Sequence, residues 1–255
     1  MTEWITTPWK DHGQTVQLEM LVRKPSGEGP FPTVVFNHGS TGSGRDPRRF
    51  NRTVDSPEVT SFFNSHGWMV LYPQRRGRGG SGGEYREGIS PQRRGYSCDK
   101  AVALEGFARA MDDLTVVMDH VGKRADVVGD CILLAGASRG GALAVAWAGQ
   151  RPDSITGVIN FSGGWLGRAC ASSYADVNNT VFLQGASFRK PMLWLQGKSD
   201  TYYGLNHCRS NFENFRAAGG QGSFYVLQSG HNLVSRSDLW EGLVDSYLHS
   251  VGGAA

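Results

Sequence analysis

Five residues, Gly136-Ala137-Ser138-Arg139-Gly140, carry the strongest chemical signal in this sequence. They follow an apolar run, Ile132-Leu133-Leu134-Ala135, and lead into the small-residue segment Gly141-Ala142-Leu143-Ala144-Val145-Ala146. A G-x-S-x-G pattern between a buried strand and a helix predicts a tight strand-to-helix turn that lifts a serine hydroxyl out of the sheet. Glycines flank the serine because side chains there collide with the neighbouring strand or helix. The chemistry implied is attack of the Ser138 oxygen on a carbonyl. The pentapeptide by itself equally describes a glycine-rich turn with a solvent-exposed serine, and a serine hydroxyl alone is a poor nucleophile.

Partners for Ser138 are sought at the ends of other strands, because functional side chains of an open parallel sheet gather at the carboxyl ends. Asp200 follows the apolar run Met192 to Gln196 through Gly197-Lys198-Ser199, and His231 follows Phe224 to Gln228 through Ser229-Gly230. A histidine of near-neutral pKa can take the serine proton and return it to a leaving group. A carboxylate fixes the imidazole tautomer and stabilises the imidazolium. The chain order Ser, Asp, His is that of an elbow-type serine nucleophile. Among competing carboxylates, Asp153 precedes a strand, Asp238 and Asp245 belong to the last helix, and Asp176 falls in an irregular stretch. His207 and His249 lie in predicted helices, and His12, His66 and His120 precede the expected sites.

The elements that must hold these residues alternate. Val16 to Val22 reads as an antiparallel strand near an edge, and Thr33 to Phe36 as a strand buried on both faces. Ser56 caps a helix that opens with Pro57 and stops at Gly67. A strand over Trp68 to Tyr72, a helix over Ala101 to Val121, the Ser138 strand and helix, and a strand over Ile155 to Phe161 follow. Met192 to Leu195, a helix over Leu205 to Ala217, Phe224 to Leu227 and a helix over Leu239 to Leu248 complete the set. The pattern predicts an α/β fold, a mostly parallel doubly wound sheet with helices on both faces, in one domain over residues 1–255. Residues 162–189 are the least regular and read either as a lid or substrate-binding excursion or as a surface loop with a short helix.

Composition narrows the function classes. A net charge of +3 over 255 residues does not argue for nucleic acid, and no apolar run approaches the roughly 20 residues that span a bilayer. The acidic start Met1-Thr2-Glu3-Trp4 lacks the features of a secretory signal, so the expected location is cytoplasmic. Cys98, Cys131, Cys170 and Cys208 are scattered, giving neither a zinc framework nor a disulfide scaffold. Reduced thiols are the default expectation, with a Cys170–Cys208 bridge as the pairing left open.

With these residues in view, the chain resembles the α/β-hydrolase superfamily, and within it the dienelactone hydrolase-like and prolyl-oligopeptidase-like branch, from Thr33 onward. The matching segments are Asn37-His38-Gly39-Ser40, Gly136 to Gly140, Gly197-Lys198-Ser199-Asp200 and Gly230-His231. Dienelactone hydrolases use a cysteine nucleophile, whereas position 138 is serine, so that activity does not carry over. The resemblance implies an oxyanion hole made by the backbone N–H of Arg139 and that of Ser40 or its neighbour Thr41. One such donor is worth about 3 kcal/mol of transition-state stabilisation. It also implies that His38 positions its loop rather than acting as a base.

Two further features need a reading. Gly77-Arg78-Gly79-Gly80-Ser81-Gly82 matches G-x-G-x-x-G, but loop sequence follows it where a dinucleotide site requires a helix. Between Arg45 and Arg94 there are ten arginines, no lysine and five acids. Arginine forks bind carboxylates and phosphates bidentately, so this density is either a solvated face with structural salt bridges or a means of selecting an acidic or polyhydroxylated substrate. Arg76, Arg78, Trp165 and Tyr202 are the candidate substrate-binding residues, with Tyr203 beside them. The expected protein is a serine hydrolase that cleaves small carboxylic esters through an acyl-enzyme, without metal or organic cofactor. A peptidase of the prolyl-oligopeptidase type and a catalytically silent binding protein are the alternatives.

Overall fold

The computed structural model describes residues 1–42, 44–89 and 95–251. The chain opens with a hairpin, β1 (Thr2–Asp11) and β2 (Gln14–Arg23), turned by His12 and Gly13. Alternation of β3 (Phe31–Asn37), α1 (Pro57–Ser65), β4 (Met69–Pro73), α2 (Lys100–Val121), β5 (Val127–Ala137) and α3 (Arg139–Gln150) follows. The second half adds β6 (Gly157–Phe161), α4 (Tyr174–Leu183), β7 (Met192–Gly197), α5 (Leu205–Ala217), β8 (Gly222–Leu227) and α6 (Ser237–Val251). All eight strands form one sheet in the order β1-β2-β4-β3-β5-β6-β7-β8. β1 and β2 pair antiparallel, β2 meets β4 antiparallel, and every later pair is parallel. This is the α/β-hydrolase fold.

The short apolar runs sit in mid-sheet because both of their faces are covered. In β5, Ile132 and Leu134 point to one core while Leu133 and Ala135 point to the other, and β4 divides in the same way between Met69/Leu71 and Val70/Tyr72. Helices α2 to α5 supply Phe107, Val145, Val177 and Phe215 to the first core; α1 and α6 close the second with Phe63 and Trp240. The Ser56 cap read from the sequence is in place, its hydroxyl accepting from Val59 N at 3.4 Å, and α2 is capped by Asp99, whose carboxylate accepts from Val102 N at 3.0 Å.

The structure adds to two of the sequence readings and corrects a third, that of the cysteines. Val16 to Val22 lies near the antiparallel edge as read, and the edge strand itself is β1, which the sequence reading left out. The stretch 162–189 contains α4, which buries Val177, Val181 and Phe182, and the fully buried Asn178 accepts from the backbone of Trp165 and Leu166. The cysteines pair as Cys98–Cys170, and Cys208 is a buried free thiol. Cys98 and Cys170 are 72 residues apart, so their cross-link closes a long loop and restricts the unfolded chain. Reduction is expected to lower the unfolding free energy by about 2–4 kcal/mol. Denaturant titrations with and without a membrane-permeant phosphine reductant would measure it, with Cys98→Ser/Cys170→Ser as the matching variant.

Candidate active site

Ser138 follows β5 and stands immediately before α3, with φ 55° and ψ −122°. A non-glycine residue at positive φ is held there only by its surroundings. Ser138 N donates to Phe161 O at 3.0 Å, and its carbonyl accepts from Gly141 N and Gly164 N at 3.0 and 3.2 Å. Gly140 is required because a Cβ there would drive into the carbonyl oxygen of Asn37; one on Gly136 would collide with the Gly140 backbone. The turn can therefore be this tight only with the G-x-S-x-G pattern.

The end of β7 delivers Asp200 and the end of β8 delivers His231. Their side chains meet: His231 Nδ1 lies 2.8 Å from Asp200 Oδ2. Asp200 Oδ1 accepts from the backbone N–H of Tyr202 and Tyr203 at 2.7 and 3.0 Å, and Oδ2 also accepts from Gln196 Nε2 at 3.1 Å. Burial pushes the Asp200 carboxyl up, but His231 and the two backbone donors outweigh it and hold the group below the ordinary carboxylate value. With Asp200 ionised, Nδ1 carries a proton and Nε2 is left as an acceptor. Ser138 and His231 line the same cavity, of about 620 Å³, with Gly39, Ser40, Arg52, Asp55 and Asn232.

A second cavity of about 520 Å³ meets the first at Ser138, Ser40, Gly42 and Tyr202. Its walls include Tyr96, Trp165, Leu166, Tyr203 and the Cys98–Cys170 pair. Trp165 is fixed by a bond from its indole N–H to Ala103 O at 2.7 Å. The Tyr203 phenol donates to Gly164 O at 2.7 Å and accepts a hydrogen bond from the Ser138 hydroxyl at 3.4 Å. Burial raises the Tyr203 phenol well above its ordinary value and keeps it neutral. Tyr202 is half exposed and covers the His231 ring at a centroid distance of 4.6 Å.

The loop after β3 closes the front of Ser138. A Cβ on Gly39 would lie 3.1 Å from Ser138 Cβ, which measures how near the backbone comes. Among the described residues, neither Ser40 N nor Arg139 N donates to a protein acceptor, and Arg139 N is in the first turn of α3, where helix N–H groups lack internal partners. His38, fully enclosed, is kept neutral by burial and by the nearby Arg75 and Arg78 charges; its Nδ1 bonds Gly39 O at 2.8 Å and its Nε2 accepts from Arg75 N at 3.3 Å.

Behind this loop lies a charged cluster that sequence reading missed. Arg75 Nη1 and Nη2 donate to the His38 and Gly39 carbonyls at 2.8 and 3.3 Å, while its other face forks onto the Glu87 carboxylate. Tyr85 donates to Glu87 Oε2 at 3.0 Å. Arg139 donates to Trp165 O and Glu87 O at 2.9 and 2.6 Å and is sandwiched against the Tyr96 and Trp165 rings. The clue was the arginine density after β4, but not its direction.

The candidate substrate-binding residues separate. Trp165 and Tyr202 line cavities at Ser138. Arg78 lines a neighbouring cavity that includes Ser40 and Thr41. Arg76 lies elsewhere: it pairs with Asp113 of α2 and stacks on Trp9, a structural position. The glycine-rich loop opens no helix; Gly79 and Gly80 instead pack on the Glu19 carboxylate, which accepts from Gly80 N at 2.6 Å. Arg93 and Arg94 lie outside the described residues.

A sheet of this topology with a strained serine between β5 and α3 defines a class by its fold, that of the α/β hydrolases. The sequence profile of a family described as "Serine aminopeptidase, S33" matches residues 56–182, just under half of the chain. Among solved structures, the Pyrococcus furiosus esterase Pf2001 superposes with a TM-score of 0.69 at 18% identity, covering 99% of this chain and 91% of its own. Est1E from Butyrivibrio proteoclasticus, solved with ferulic acid bound, gives 0.68 at 15% identity over 99% and 100%. An α/β serine hydrolase homologue from Coxiella burnetii gives 0.62 at 17% over 93% and 96%. No curated protein is significantly similar in sequence. No helix among the described residues is long and apolar enough to cross a membrane.

Proposed function

We propose that this protein is a serine hydrolase that cleaves carboxylic esters through an acyl-enzyme. The observation that carries this reading is the convergence of a strained Ser138 and a tethered His231–Asp200 pair on one cavity. Ser138 Oγ attacks the ester carbonyl while His231 Nε2 takes its proton, and Asp200 stabilises the resulting imidazolium. The N–H groups of Arg139 and Ser40 receive the oxyanion. Collapse of the tetrahedral intermediate expels the alcohol, which takes the proton from His231. Water then repeats the sequence and frees the acid.

The two cavities divide the substrate. The leaving oxygen must lie within reach of His231, so the alcohol occupies the cavity that His231 lines. The acyl group occupies the aromatic-walled chamber of Tyr96, Trp165, Leu166 and Tyr203, where apolar area is removed from water. Est1E, whose structure holds ferulic acid, makes aryl acyl groups the first to try.

The peptidase-like reading draws on the serine aminopeptidase profile. Both chemistries use the same nucleophile, and a panel of short esters against aminoacyl-amides separates them. The test of the nucleophile is intact mass after a fluorophosphonate probe. One stoichiometric adduct, absent in Ser138→Ala, is expected. A folded protein that forms no adduct would overturn the catalytic reading in favour of a binding role, with the acyl and alcohol cavities as ligand sites.

A further inference from the structure

The buried charges around Ser138 do not balance. Arg75, Arg78 and Arg139 are all nearly inaccessible, and the carboxylate that joins them is Glu87. Glu87 takes the fork of Arg75 and lies beside Arg139. Arg78, 2% exposed, has no ion pair among the described residues, and its Nε and Nη1 are buried without hydrogen-bond partners. Its neighbours are the Tyr85 ring, 5.6 Å from its Cζ, and the through-space charge of Glu87, and a desolvated guanidinium without a direct carboxylate or phosphate partner is costly.

Arg78 lines a cavity of about 490 Å³ with Arg48, Arg49, Arg52, Thr41 and Asp55. Two of those charges are already matched: Arg48 forks onto Asp46, and Asp55 is held by Arg23 at 2.8 Å. Arg49 and Arg52 make no ion pair among the described residues, and Arg49 Nη1 lies against the backbone of Gly42. The Thr41 hydroxyl is likewise buried without a partner. Of the carboxylates nearby, Glu19 is occupied by Thr53 and Gly80 N rather than by any arginine. Arg49, Arg52 and Arg78 therefore line one space without carboxylate partners, with the buried Thr41 hydroxyl beside it. That space shares Ser40, Gly42, Arg52 and Asp55 with the cavity that holds His231.

We propose that Arg49, Arg52 and Arg78 form an anion subsite, and that the preferred ester carries a carboxylate or phosphate on its alcohol portion. The proposal rests on the ester-hydrolase reading for its placement on the leaving-group side. Arginine forks match either anion bidentately, and Arg78 gains the partner it lacks.

The test compares 4-carboxyphenyl butanoate with 4-carbamoylphenyl butanoate, esters of equal shape that differ by one charge. The wild-type kcat/KM is expected to favour the carboxylate by about tenfold, the scale of one hydrogen bond to a charged group. Arg49→Ala/Arg52→Ala, both exposed positions, and separately Arg78→Gln, are expected to abolish that ratio. Arg151→Ala, a surface arginine at the far end of α3, should leave the ratio unchanged. An equal fall in Arg151→Ala, or no preference in the wild type, would overturn the subsite. If neither ester is cleaved, calorimetric titration with 4-hydroxybenzoate, 4-hydroxybenzamide and inorganic phosphate still decides. Anion binding lost in the double variant supports the subsite while the ester reading fails; no anion binding overturns it. Tighter binding of phosphate than of hydroxybenzoate would assign a phosphate-bearing alcohol.

Discussion

Asp200→Asn is expected to lower kcat by about 10⁴-fold while leaving the fold intact. The hydrogen-bond pattern dictates why. Oδ1 of Asp200 accepts two backbone N–H groups, from Tyr202 and Tyr203, so in the variant the amide oxygen must stay on that side. The amide NH₂ then takes the Oδ2 position, facing His231 Nδ1 and the donor Gln196 Nε2. An NH₂ can only donate, so Nδ1 must become the acceptor and the ring proton moves to Nε2. That tautomer cannot take a proton from Ser138. Steady-state rates on a neutral aryl ester, with circular dichroism to confirm folding, measure the effect. A loss under tenfold would mean that Asp200 does not orient the base and would remove it from the proposed mechanism.

Glu87→Gln is expected to cost about 3–5 kcal/mol of stability, because it leaves buried arginines without their carboxylate. Glu87 is almost inaccessible, and it receives Arg75, Tyr85 and the charge of Arg139. Burial raises its carboxyl, but Arg75 first and Arg139 and Arg78 after it hold the group below its ordinary value. A carboxyl lowered in the folded state stabilises the fold above the ordinary glutamate range. That contribution fades as pH falls through this range and past the folded value. Urea unfolding of wild type and variant at pH 7 and near pH 4 should therefore show a gap that narrows in acid. A gap independent of pH would assign the loss to packing rather than to charge. Activity should fall as well, since Arg75 grips the His38 and Gly39 carbonyls that set the direction of Ser40 N–H.

What could be read from the sequence follows from which signals are local. The Ser138 turn, Asp200 and His231 each sit just past an apolar run, so strand ends located them without any knowledge of pairing. β1 escaped notice because an edge strand buries little: Ile5 and Thr7 are its buried residues, and Trp4 stays exposed. Arg76 and Arg78 looked equivalent in sequence, yet Gly77 and Gly79 between and after them take positive φ and turn the chain. One arginine goes to Asp113 on α2 and the other to the cavity beside Ser40. The disulfide was illegible for a related reason. Its partners lie 72 residues apart, on segments with no strand register to bring them into correspondence.

Because the two chambers share Ser138 and the residues beside it, the proposed mechanism empties them at different times. In the proposed acyl-enzyme the alcohol side falls vacant while the aromatic-walled chamber stays filled, so the second reactant enters by the door the first product used. Whatever fits that vacated side competes with water for the acyl group. The same contacts that select the leaving alcohol thus select the acceptor, and partitioning between hydrolysis and transfer becomes a property of the arginine-lined approach rather than of Ser138 itself.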